Sequence, residues 1–151
     1  MDLSTRFSGY VADADLALDG PALLEDGGLA TAVILSLYSD RQAAADDALP
    51  GADTDRRGWW GDVAPLADDY QLGSRLWLLA REKQLPVVLA RAQAYAQEAL
   101  AWLVTSGAAA SVLVEASNPR TGVLALAIQI ERPVGAVETY QYLWEWERDA
   151  L

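Results

Sequence analysis

The chain carries 22 Asp and Glu residues but neither histidine nor cysteine, so its carboxylates are the groups best able to do chemistry. A glycosidase needs two of them at a suitable separation and no imidazole; Asp62, Asp68, Asp69 and Glu82 are the candidates. No local spacing marks any of the four as a buried acid, and so acidic a chain supplies such pairs by chance. The rule that charged side chains stay solvated therefore assigns them to the surface. Asp13, Asp15 and Asp19, and again Asp53 and Asp55, invite a calcium reading, yet neither group has the ligand spacing and terminal Glu of an EF-hand. Turn chemistry explains them better. Ser74 follows Gly73 without a Gly-x-Ser-x-Gly elbow or a histidine partner, and Gly27-Gly28 has no Lys-Ser or Lys-Thr behind it to form a phosphate loop. With thiolate and imidazole missing, the commonest general base and zinc ligands are missing too. These residues point to a protein that binds, not an enzyme, with no catalytic residues, cofactor or metal.

The segment from Asp55 to Asp62 reads Asp-Arg-Arg-Gly-Trp-Trp-Gly-Asp and sets Arg56, Arg57, Trp59 and Trp60 within a glycine-punctuated stretch. Arg and Trp dominate binding hot spots. The alternative for Trp59 and Trp60 is that they plug the protein's own core, with the arginines in local ion pairs. Near the C-terminus Tyr140, Tyr142, Trp144 and Trp146 alternate with Thr139, Gln141, Leu143 and Glu145, which places the four rings on one face of a strand. That face either covers a helix or meets a partner, and some of it is expected to do the latter.

The elements that position these residues follow from periodicity. Asp15 to Gly28 predicts a small N-terminal hairpin turning at Asp19-Gly20-Pro21. Leu29, Val33 and Leu37, with Ile34 and Tyr38 beside them, predict a buried helix from Leu29 to about Arg41. Gln42 to Gly58, rich in Ala, Asp, Gly and Pro, reads as a long surface loop. Ser74 is placed to cap a second helix from Arg75 to about Lys83, striped by Leu72, Leu76 and Leu79. Pro86 opens a third, to about Thr105, with Val88, Ala92, Tyr95, Ala99 and Leu103 on one face and Gly107 as terminator. The period then falls to two: Val112 and Val114, a turn at Asn118 to Gly122, then Leu124, Leu126, Ile128 and Ile130, and a last strand from about Val137 to Trp146. The expectation is an α+β fold: an N-terminal hairpin, three helices and a C-terminal antiparallel sheet of about three strands, in one domain spanning 1–151.

Eleven Lys and Arg leave a formal charge of −11. Such a field repels phosphates and anionic lipid, so neither nucleic acid nor membrane is an expected partner. No stretch approaches the length of a bilayer span, the longest apolar one running from Leu29 to Leu37, and Met1 to Arg6 does not look like a secretory signal. Synthesis in the cytoplasm is expected.

Leu-Glu-Asp-Gly at 24–27, Thr-Ala-Val-Ile-Leu-Ser-Leu at 31–37, the Asp-Arg-Arg-Gly-Trp-Trp-Gly-Asp block and Gly-Ser-Arg-Leu-Trp-Leu-Leu-Ala-Arg-Glu-Lys at 73–83 together resemble the phage Mu forty-sixth gene product family. The likeness continues through Tyr95 to Leu103 and the closing strands. That resemblance implies a contractile-tail baseplate component, similar in turn to the small lysozyme-like wedge protein of T-even phages, with an α+β fold. By position it implies that Arg56, Arg57, Trp59, Trp60 and Asp62 in the signature loop, and Arg75, Trp77 and Arg81 in the segment after it, form an interface or its scaffold. Implied partners are other wedge proteins, the central spike or hub and the sheath, in multiple copies of a sixfold assembly built in the host cytoplasm and carried in the virion. The wider wedge family's Glu-Pro-Arg motif is replaced here by Gly107-Ala108-Ala109-Ala110, and Asn118-Pro119-Arg120 falls in the following turn, so no role is transferred to it. Two other readings stand beside this one: a tail-associated peptidoglycan hydrolase using paired carboxylates, and a cytoplasmic module that binds a host regulator.

Overall fold

A computed structural model describes residues 2–3, 5–7, 14–16, 18–19, 22–23, 25–26, 29–52, 54–63, 71–82, 85–135 and 137–145. Through residue 26, and at Val63, Trp144 and Glu145, it describes the backbone. Six short strands come first: β1 (Asp2–Leu3), β2 (Thr5–Phe7), β3 (Ala14–Leu16), β4 (Leu18–Asp19), β5 (Ala22–Leu23) and β6 (Glu25–Asp26). They pair antiparallel as β1 with β6, β2 with β3 and β4 with β5. The β4–β5 pair, with Leu18 opposite Leu23, lies on either side of the Gly20-Pro21 dipeptide.

Helix α1 (Ala30–Tyr38) buries Val33, Ile34, Ser36 and Leu37. It ends three residues short of the expected Arg41 because the chain after it is taken up by another segment. Ser39 is extended and its carbonyl accepts from the Ser74 N–H at 2.9 Å; the Arg41 N–H in turn donates to the Ser74 carbonyl at 3.0 Å. Gly73 makes this crossing possible. Its φ of +99° is a left-handed conformation, and a Cβ there would collide with the Ser39 carbonyl.

Two α-helices, not three, occur among the described residues. The helix expected from Arg75 to Lys83 is a single 3-10 turn, Leu76–Leu79. An amphipathic helix needs a wet face, and four successive residues here offer none: Leu76, Trp77, Leu78 and Leu79 are all buried. Three residues per turn bring Leu76 and Leu79 to the same side, where both join the main core, while Trp77 and Leu78 enter a second cluster with Ala43. Ser74 does receive the Leu76 N–H at 3.4 Å, but its hydroxyl donates to the Leu37 carbonyl at 2.6 Å, which ties the turn to α1.

The long helix, α2 (Pro86–Thr105), opens on proline at its first turn as expected. It buries Val88, Ala92, Ala96, Ala99, Leu100 and Leu103, and the three alanines let its backbone come close to the sheet. Strands β7 (Ser111–Arg120), β8 (Val123–Glu131) and β9 (Val137–Glu145) make an antiparallel sheet in that order. Register puts Val112, Val114 and Ala116 opposite Ile130, Ile128 and Leu126, and the last two of these opposite Tyr140 and Tyr142. This shared face packs under α2, with Val114, Leu126, Ile128 and Ile130 fully buried. The turn between β7 and β8 is tighter than expected. Asn118 and Pro119 belong to β7, whose pairing slips between Ser117 and Arg120, as befits a proline that has no N–H for the ladder.

Candidate docking site

The Asp55–Asp62 segment is irregular loop running into one turn of 3-10 helix, Trp60–Val63. Its shape is imposed by its own arginines. The Arg56 guanidinium donates to the carbonyls of Ala44 and, at 3.2 Å, Ala45, while its backbone carbonyl accepts from the Ala43 N–H at 2.9 Å. Both ends of the long loop are thereby held together. Arg57 has a φ of +52°, a left-handed conformation that costs a non-glycine residue about 1 kcal/mol or more. Three contacts offset that cost: its N–H donates to Asp55 at 2.8 Å, its guanidinium pairs with Asp40 at 2.8 Å, and it lies over the Trp77 ring at 4.5 Å. Trp77 is itself fixed, its indole N–H donating to the Arg41 carbonyl at 2.8 Å.

Beyond Arg57 the chain turns through Gly58, also at positive φ, and delivers two indoles to the surface. Trp59 is 44% and Trp60 82% exposed. Their rings are 5.3 Å apart at 48°. Gly61 is required beneath them, because a Cβ at that position would strike the six-membered ring of Trp59. Asp62 closes the segment, one carboxylate oxygen accepting the Leu72 N–H at 3.2 Å.

A charged network fastens the loop to α2. The Arg75 guanidinium grips Glu98 through two nitrogens at 3.0 and 3.2 Å, holds Asp47 at 3.0 Å and lies 4.7 Å over the Tyr95 ring. Arg41 approaches Glu98 at 3.7 Å and donates to Gln71 at 3.2 Å. Arg91 joins Glu82 at 3.1 Å and the Tyr95 hydroxyl at 3.4 Å. Burial pushes the Asp47 carboxyl up, but the Ala44 N–H and the charges of Arg75 and Arg91 outweigh it and hold the group below its usual range. Desolvation likewise lowers Arg75, and its two carboxylate partners more than reverse that. None of Asp40, Arg41, Asp47, Tyr95 or Glu98 was singled out from the sequence for this role. The available signal was Arg91, Tyr95 and Glu98 at helical spacing on one face of α2.

The remaining expected interface residues divide. Arg81 is exposed, its guanidinium beside Gly51. Trp77 and Tyr142 are core residues, 6% and 8% exposed. Tyr142 meets Tyr38 edge-on at 6.1 Å and stacks on Tyr140 at 6.5 Å. Tyr140 accepts the Leu29 N–H at 3.1 Å and donates to Glu138, so the ring face of β9 serves the protein's own α1. Trp144 lies on the same face by register, opposite Leu124; Trp146 lies outside the described residues. Of the carboxylates weighed for catalysis, Asp62 is bonded to Leu72, Glu82 is paired with Arg91, and Asp68 and Asp69 lie outside the described residues. No helix among the described residues is long and apolar enough to cross a membrane.

The geometry is that of a presented surface loop. The family described as Phage protein GP46 matches residues 29–137, a span that includes the loop, both helices and most of the sheet. The baseplate protein gp46 of Escherichia phage Mu is 46% identical over 128 residues, covering 85% of this chain and 86% of that protein. The Mu-like prophage FluMu protein gp46 of Haemophilus influenzae is 42% identical over 134 residues, covering 89% and 90%. This chain belongs to the phage protein GP46 family.

Proposed function

We propose that this chain is a structural subunit of a contractile-tail baseplate wedge, held in place by contacts to neighbouring wedge proteins and through them to the hub and sheath. The observation that carries the docking part of this reading is the exposed Trp59–Trp60 pair on a loop whose form is fixed by internal contacts. An indole left in water offers a large apolar area to a partner, and a loop already held in place has less freedom to lose on binding. Similarity to a protein named for the baseplate supplies the setting. In a sixfold particle each contact is repeated by symmetry, so individually weak contacts suffice.

The subunit is assembled in the host cytoplasm and resides in the finished tail. Deletion of the gene, with complementation in trans, tests this: the deletion should yield particles without completed baseplates by electron microscopy, and plasmid-borne wild type should restore them. Infectious tails of normal form after deletion would refute it. A hydrolase reading is less well supported: Glu82 is paired with Arg91, one Asp62 oxygen accepts the Leu72 N–H, and the similar protein of phage Mu is named for the baseplate.

A further inference from the structure

Resting on the docking reading above, the charges around the indole pair indicate the surface that receives it. Between residues 42 and 62 the sequence has five Asp against two Arg. Both arginines have partners within the chain, Arg56 on backbone carbonyls and Arg57, though 41% exposed, on Asp40 and over Trp77. Arg41, Arg75 and Arg91 are engaged in the same way by Glu98, Asp47 and Glu82. Arg41, Arg57, Arg75 and Arg91 thus have their charge matched by a carboxylate of the same chain. Asp46 and Asp55 stay exposed on the loop, in a chain of net charge −11. The site is thus two indoles on a loop in which Asp outnumbers Arg five to two, with the exposed Arg81 beside its Gly51.

We infer that the receiving surface is an apolar cleft on another virion protein, rimmed by Arg or Lys, into which Trp60 inserts while a partner cation lies over an indole face. Trp is the strongest cation–π acceptor among the side chains. Opposite-sign rims steer encounter and set register. A second copy of this chain would bring one acidic loop against another, and a nucleic acid would add phosphates to carboxylates; the net charge of −11 disfavours both.

The test uses purified chain and, one at a time, the purified products of the tail genes flanking its own. Affinity is measured by calorimetry at about 50 mM and about 500 mM NaCl for wild type, Trp60→Ala and Asp46→Asn, a range that takes the Debye length from above 10 Å to below 5 Å. Trp60 is so exposed that its removal should leave thermal unfolding unchanged, which serves as the folding control. One product should bind. Trp60→Ala should weaken it on the order of 30-fold, as for an aromatic hot spot. High salt should weaken it roughly tenfold or more, and Asp46→Asn should flatten that salt dependence.

Unchanged affinity in Trp60→Ala would overturn the inference, as would binding indifferent to salt, a Trp60-dependent homodimer, or no binding by any flanking product. The baseplate reading fails separately, through the deletion phenotype. Tails that are absent in the deletion but normal in Trp60→Ala would sink this inference and leave that reading standing.

Discussion

Replacing Arg75 with Ala should cost about 2–3 kcal/mol of folding stability at pH 7. The side chain is only about one-fifth exposed, and it makes a two-nitrogen grip on Glu98 and a separate pair with Asp47. A charge-assisted hydrogen bond contributes roughly 1.5–3 kcal/mol where it is shielded from water. Full addition would overstate the loss, because Asp47 keeps the Ala44 N–H at 2.8 Å and Glu98 keeps Arg41 at 3.7 Å. For a domain of this size the penalty corresponds to a melting temperature lower by about 5–10 °C.

The pH dependence carries the diagnosis. Folding holds the Asp47 carboxyl below its unfolded value, so its share of the stability is present above about pH 3.9 and lost as pH falls through the lower, folded pKa. The gap between wild type and Arg75→Ala, followed by urea denaturation from pH 7 downward, should therefore narrow in acid. Arg75→Lys should recover less than half of the loss, since an ammonium cannot span both carboxylates as a planar fork does. An Arg75→Ala protein within about 0.5 kcal/mol of wild type at pH 7, where surface pairs fall, would refute the reasoning. So would a gap that does not change with pH.

Gly73→Ala combines a left-handed φ with a collision against the Ser39 carbonyl; it should destabilise by more than about 2 kcal/mol, read as a drop in the denaturation midpoint. Glu138 should show a second acid-sensitive element. Hydrogen bonding from the Tyr140 hydroxyl, opposed by burial and assisted by Arg132, lowers its pKa. Its contribution is present above an unfolded value of about 4.3 and lost as pH drops through the folded one. Glu138→Gln should thus cost about 1 kcal/mol at neutral pH and converge with wild type in acid, in the same titrated denaturation series.

Where one periodicity ruled a segment, the sequence was legible. The alternation of Leu124, Leu126, Ile128 and Ile130 located β8, and Pro86 with Gly107 bracketed α2 to the residue or nearly so. The Leu76–Leu79 turn was misread because four apolar residues in a row fit a helix stripe and a fully buried short turn equally well. Only the second core cluster, built from Ala43 and Trp77 far apart in sequence, decides between them. In the loop, the presence of Arg and Trp together was informative, but their division of labour was not. Which partner each guanidinium takes depends on Ala44, Ala45 and Asp40, residues of no distinctive pattern. The β9 ring stripe faced the same ambiguity: an alternating strand tells which residues share a side but not whether that side meets α1 or a foreign surface.

The four-residue turn at Leu76–Leu79 contributes side chains to two separate apolar clusters, two to each. It therefore joins them as one cooperative unit, and Trp77, under Arg57, extends that unit to the base of the indole loop. Amide hydrogen exchange offers a direct view of this coupling. The Ala43 N–H, bonded to Arg56 in what is formally a surface loop, should exchange at rates set by opening of the whole domain, as amides of α2 do, and not by local fraying. On the docking proposed above, exchange of that kind means that the indole loop keeps its form for as long as the chain stays folded and gives it up only on global unfolding.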